Sequence, residues 1–192
     1  MNNVSWFVAL AFCAATLPAY AQGGLTLGRP AYGGPGCPAG TASSQLSGNG
    51  SLSIRFSRFG VAAGGVAAFD RKACSLAIPM RVPAGQSVAV LSVAYRGRTD
   101  LSAGGKGVLT VESFLSGGQG PVFRRSFSGP VHAGFAVQQA ATATTWSACG
   151  AAVTLRTNTS LEVTSAGGAV AASLRSQDVS TAIVYRLQFR NC

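Results

Sequence analysis

Residues 70–97 read DRKACSLAIPMRVPAGQSVAVLSVAYRG. Leu76, Ile78, Met80 and Val82 alternate with Ser75, Ala77, Pro79 and Arg81. Period two is the mark of a strand with one buried face. Pro79 has no N–H, so its position must tolerate a missing ladder bond, at an edge or a bulge. Pro83-Ala84-Gly85-Gln86 supplies a turn, with proline presetting φ and glycine free to take φ > 0. The chain then returns from Ser87 to Tyr95. Val88 and Val90 hold one phase of the alternation; Leu91, Val93 and Tyr95 hold the other. That slip predicts a bulge near Val90-Leu91 or a strand buried on both faces. The stretch as a whole is expected to form the central β-hairpin of a sandwich.

The flanking sequence repeats the pattern. Ser43 to Ser47 can form a short strand, and Ser47-Gly48-Asn49-Gly50 a hairpin turn. Leu52, Ile54 and Phe56 alternate with Ser53, Arg55 and Ser57. Gly60 to Phe69 reads as a small-residue loop. Strands are expected over Val108–Leu115 and Val122–Ser128. Val131 to Trp146 has no firm period and reads as a long loop or an edge strand. Val153 with Leu155, and Leu161 with Val163, suggest two short segments around a turn at Asn158. Ala169 to Leu174 and Ala182 to Cys192 complete the set. Nine or ten strands with frequent turn signals predict an all-β fold, a disulfide-stapled antiparallel β-sandwich of jelly-roll-like form.

Residues 1–21 read as a signal peptide. Trp6 to Leu17 is apolar but too short to span a bilayer, and Ala19-Tyr20-Ala21 has the small-x-small form of a cleavage site. Cleavage near Ala21 would release a secreted chain, extracellular or periplasmic, with no transmembrane anchor. Residues 22–35 are Gly- and Pro-rich and read as a loose leader. Residues 36–192 are the expected domain, long enough to bury roughly 70% of its unfolded surface.

The whole chain of 192 residues has a formal net charge of +10, with 15 Lys and Arg against 5 Asp and Glu. Such a balance favours anionic partners, such as an anionic polysaccharide or an envelope polymer. The cations are scattered in ones and twos, many at strand positions that would face water in any case. Asp70-Arg71-Lys72 is the densest charged cluster. It can receive an anionic group, or it can pair internally and fix the strand entrance. Trp146 can stack on a sugar or plug the core beside Cys149; the second fits a lone tryptophan better.

Cys13 departs with the signal peptide. Cys37, Cys74, Cys149 and Cys192 remain, an even number in an exported chain, which reads as two disulfides. Three connectivities are possible. Cys37–Cys74 with Cys149–Cys192 is favoured because each pair brackets one half of the domain. No two cysteines have C-x-x-C spacing and His132 is the sole histidine, so neither a zinc site nor any other cofactor is expected. A hydrolase would have to work with His132 and carboxylates such as Glu112 and Glu162, without a G-x-S-x-G elbow. The expected function is therefore non-enzymatic: a secreted, monomeric binding protein. A hydrolase with an atypical site, or an effector or inhibitor that contacts a protein through residues 131–145, is the alternative.

A family likeness rests on Gly36-Cys37-Pro38-Ala39-Gly40, Asp70-Arg71-Lys72-Ala73-Cys74, Val82-Pro83-Ala84-Gly85, Tyr95-Arg96-Gly97, Phe127-Ser128-Gly129-Pro130 and Trp146-Ser147-Ala148-Cys149-Gly150. With the aromatic strand ending in Cys192, the chain resembles a family of small secreted bacterial and fungal proteins known as domain of unknown function four-three-six-zero. The resemblance implies export, two disulfides and a β-rich domain, and no activity. Val131 to Thr145 departs from the family pattern.

Overall fold

The computed structural model describes residues 24–116, 118, 120–140, 145–174 and 182–192. The expected signal peptide lies outside them. They contain thirteen strands in two antiparallel sheets, an all-β sandwich stapled by two disulfides.

The first sheet, A, is built on β6 (Phe69–Arg81). One side of β6 pairs with β11 (Ala152–Thr164), then β8 (Lys106–Leu115) and β9 (Val122–Ser128). Its other side carries two short strands, β1 (Thr26–Leu27) and β2 (Ala31–Gly33). The second sheet, B, is built on β7 (Gln86–Leu101). On one side β7 pairs with β13 (Ile183–Asn191) and then, further along, with β12 (Val170–Ser173). Beyond β13 lie β4 (Ser51–Phe56) and β3 (Ala42–Leu46); beyond β12 lies β5 (Gly60–Ala63). The other side of β7 pairs with β10 (Val131–Ala140).

The expected central hairpin is thus corrected. β6 and β7 belong to different sheets, and the turn between them is an arch across the sandwich. Gln86 N–H donates to the Pro83 carbonyl at 3.1 Å, and Gly85 has φ +76°. A positive φ at the third residue alone is a type II turn, which splays its flanking strands instead of laying them side by side. Alternation correctly marks what faces inward: Cys74, Leu76, Ile78 and Met80 on β6 are at most 3% exposed. They face Val88, Val93 and Tyr95 of β7 through the core.

The bulge falls at Leu91. Arg186 lies opposite Ser92 and Leu187 opposite Val90, so Leu91 has no partner on β13, and its side chain is exposed. Pro79 sits where a missing donor costs least. In an antiparallel strand the N–H and C=O of one residue point to the same side. The Pro79 carbonyl accepts from Gly28 N–H, so the absent N–H faces the gap between β1 and β2.

Three further expectations are corrected, and one left open is decided. Gly60 to Phe69, expected as a loop, supplies the edge strand β5 and the first residue of β6. Residues 22–35, expected to be loose, supply β1 and β2 to sheet A. The two segments around Asn158 are one continuous strand, because the inward positions between them hold Thr157 and Thr159, both buried. The unreadable stretch after Pro130 begins as the edge strand β10, which keeps its half-buried side chains Val131, Phe135, Val137 and Gln139 on one face.

Candidate ligand-binding surface

β5 is a sheet edge, and its outward backbone groups need partners. Asp70 and Lys72 provide them. The Asp70 carboxylate Oδ2 accepts from Ala62 N–H at 3.1 Å, and the Lys72 Nζ donates to the Gly60 carbonyl at 2.8 Å. Two side chains of sheet A therefore seal an edge of sheet B. Lys72 and Asp70 are themselves 4.0 Å apart. Arg71, between them, alternates to the outer face of sheet A, 3.7 Å from Glu162. Glu162 also lies 3.6 Å from Arg124. The Asp-Arg-Lys cluster is split between two surfaces.

Just below, Gly36 N–H donates to the Ala73 carbonyl and the Cys37–Cys74 disulfide ties the leader to β6 with both sulfur residues buried. Gly36 is required there: a Cβ would run into the Phe59 ring.

The sealed edge borders a groove of about 730 Å³ whose charged lining is Arg58, Asp70, Lys72, Arg98 and Asp100. The Arg98 guanidinium holds the Asp100 carboxylate with two bonds, 2.9 and 3.0 Å. His132 Nδ1 lies 3.6 Å from the same carboxylate. The Arg98 hydrogen bonds hold Asp100 below the usual carboxylate range; burial opposes them, and the Arg98 charge and His132 add smaller lowering effects.

The groove opens onto the outer face of sheet B. Arg55 on β4, Arg96 on β7 and Arg186 on β13 are all exposed on it. Arg55 and Arg96 share one row of the sheet, joined through Ala182, whose carbonyl accepts from Arg96 N–H and whose N–H donates to Ile54. Among the described residues Ser53, Ala94 and Ala136 beside them are short and neutral, and Arg98 follows Arg96 along β7. Asp100 is the one carboxylate of this face among the described residues, and Arg98 holds it. The outer face of sheet A differs, since Glu112 and Glu162 stand among its cations.

Trp146, expected as a core plug, is instead half-buried on the surface, with the Arg190 guanidinium 4.3 Å from its ring centre. The reason is its neighbour: Cys149 and Cys192 are exposed, so no interior exists there for an indole to fill. Its segment is fixed by Ser147, whose N–H donates to the Val88 carbonyl and whose Oγ accepts from Val88 N–H. The candidates Asp70, Arg71, Lys72 and Trp146 therefore occupy separate places, and the arrangement does not bring Trp146 to the groove. Nor are His132 and Glu112 brought together: one is on β10 of sheet B, the other on β8 of sheet A, accepting from Asn158 at 3.1 Å. Sequence reasoning missed the arginine face. Its signal was present, since Arg55 and Arg186 each occupy the polar phase of an alternating strand.

Among the described residues no cluster of His, Cys, Asp and Glu could hold a metal ion, and no helix is long and apolar enough to cross a membrane. Among solved structures, the chain is similar to TmCBM61 in complex with beta-1,4-galactotriose, at 11% identity and a TM-score of 0.30, over 85% of this chain and 88% of that one. So distant a likeness bears on neither ligand nor site. A sequence relative is an uncharacterised secreted protein of Arthroderma benhamiae, 30% identical over 169 residues, which span 84% of this chain and 69% of the relative. The two disulfides and the secreted relative fit an extracellular location. Residues 24–192 match the family described as Domain of unknown function (DUF4360), and the chain belongs to that family.

Proposed function

We propose that this is a secreted, monomeric, non-enzymatic protein, released by cleavage near Ala21, that binds an anionic extracellular or cell-envelope polymer. The observation that carries this reading is the outer face of sheet B, where exposed arginines stand among short neutral side chains and the single carboxylate among the described residues is already held. A flat, rigid face of this kind meets a polyanion at many points without ordering loops. Arg58, Lys72 and Arg98 extend the positive field into the groove at its edge. Acid–base catalysis has no comparable support, because the histidine and Glu112 lie on opposite sheets.

Binding to immobilised polygalacturonate and to heparin, with dextran as the neutral control, tests the proposal across a salt series. Wild type is expected to bind both anionic polymers at low salt and to release them as salt rises. Arg55→Ser/Arg96→Ser/Arg186→Ser is expected to weaken binding on the order of tenfold, about 1.4 kcal/mol. Arg81→Ser/Arg156→Ser on sheet A serves as the comparison. Equal loss in both variants, or none in either, overturns the assignment of the face.

A further inference from the structure

The interior does not close completely where β7 carries its bulge. A cavity of about 110 Å³ opens there between β7, β8 and the turn joining β8 to β9. Its origin is local. The extra residue sends Leu91 outward, leaving Val90 and Val93 on either side of a gap. Opposite them β8 sends Leu109, Val111 and Leu115 inward, but also the small Ser113. The turn contributes Gly120, where no side chain fits because a Cβ would meet the Ser113 carbonyl.

The walls are apolar and aromatic. The Tyr95 ring, which forms part of them, is itself fixed by stacking on Phe123 with centroids 4.6 Å apart. Ser113, Gln139 and Thr145 bring polar side chains to the lining, and the best anchored is Ser113. Its Oγ shares a 2.7 Å hydrogen bond with the hydroxyl of Tyr185, which shares another of 2.6 Å with Thr157 Oγ1. A phenol has one proton, so whichever way this relay points, Ser113 keeps capacity to donate or accept, which the nearby Tyr95 hydroxyl shares with a group in the cavity. None of the described residues that line the cavity is charged, although the chain carries a net +10.

An ion entering here would lose its hydration and find no counter-charge. A dry apolar cavity of about 150 Å³ is known to take up benzene; one of this size, open to the surface, admits a single ring or a branched alkyl group. We infer that the cavity binds a neutral small molecule through one ring or branched alkyl group, with a hydroxyl or carbonyl of that molecule hydrogen-bonded to Ser113. The site is independent of the arginine face and shares no residue with it.

NMR titration of the secreted chain with benzyl alcohol, toluene and benzoate tests this. Benzyl alcohol is expected to give saturable shifts at Val90, Val93, Ser113 and Gln139, and benzoate to bind there about tenfold more weakly or not at all. Val93→Phe fills the space and abolishes the shifts; Ala140→Phe at the rim does the same should Val93→Phe not fold. Ser113→Ala lowers the affinity for benzyl alcohol about fivefold and leaves that for toluene unchanged. Shifts that never saturate, that survive both filling variants, or that are as strong with benzoate at these residues overturn the inference.

Discussion

The two disulfides span similar sequence separations, 37 and 43 residues, in opposite surroundings. Cys37 and Cys74 are 0% and 2% exposed and belong to the core. Cys149 and Cys192 are exposed, at the tip of the arch, where Cys192 N–H donates to the Gly85 carbonyl and Gly150 N–H to that of Gln86. Loop-closure entropy treats the two bonds nearly alike, at about 4 kcal/mol each. What separates them is packing and access. One is an interior contact that happens to be covalent; the other is a clasp on the surface.

Removal of each bond breaks or sharpens that contrast most strongly. Cys37→Ala/Cys74→Ala is expected to cost about 5 kcal/mol, loop entropy plus a packing defect. Cys149→Ala/Cys192→Ala is expected to cost about 3–4 kcal/mol. Urea denaturation measures both, and equal losses would show that burial adds nothing. Mild reductant should open Cys149–Cys192 first, since a thiolate must reach the sulfur. Non-reducing peptide mapping over time reads the order.

Alkali probes sealed surroundings next. Burial pushes the Tyr185 hydroxyl up to about 12, partly offset by its bonds to Ser113 and Thr157. Burial also raises Tyr95, with the neighbouring Tyr185 adding to it. A raised tyrosine keeps its proton in the fold after the unfolded chain has lost it. Its contribution is therefore complete below pH 10 and is lost as pH rises towards 12. Melts should be level between pH 9 and 10 and then lose on the order of 1.4 kcal/mol per pH unit for each such tyrosine between pH 10 and 12. A flat profile would mean that water reaches the hydroxyl relay.

Smaller effects lie at the sealed edge. Lys72→Met and Asp70→Asn should each cost about 1–2 kcal/mol, by stranding the Gly60 carbonyl or weakening the bond from Ala62. Arg71→Gln, which disturbs only an exposed pair, should change stability by less than about 0.5 kcal/mol. The smallest effect belongs to the clasp. Arg190→Ala should shift Trp146 fluorescence while costing about 0.5 kcal/mol.

Much of this was legible in the residues. Alternation marked the inward side chains of β4, β6 and β13, and the phase slip located the bulge to within a residue. The favoured cysteine pairing is the one found. Period two, however, says which way a side chain points and not which strand lies beside it, so an arch read as a hairpin. β11 looked broken because inward Thr157 serves the hydroxyl relay of Tyr185, and that need is invisible before the sheets are stacked. The role of Asp70 and Lys72 was hidden for a similar reason: the edge they seal, β5, has only four residues, none larger than valine.

The position of β13 has a consequence in time. It lies between β4 and β7, at the centre of sheet B, yet it follows the other twelve described strands in the chain. A chain emerging from its N-terminus leaves that slot empty until the other twelve have appeared, so sheet B is completed late, through distant pairings that form slowly. Until it arrives, β4 pairs with β3 alone and sheet B remains in two parts, so one late segment decides when the two halves of that layer become one surface.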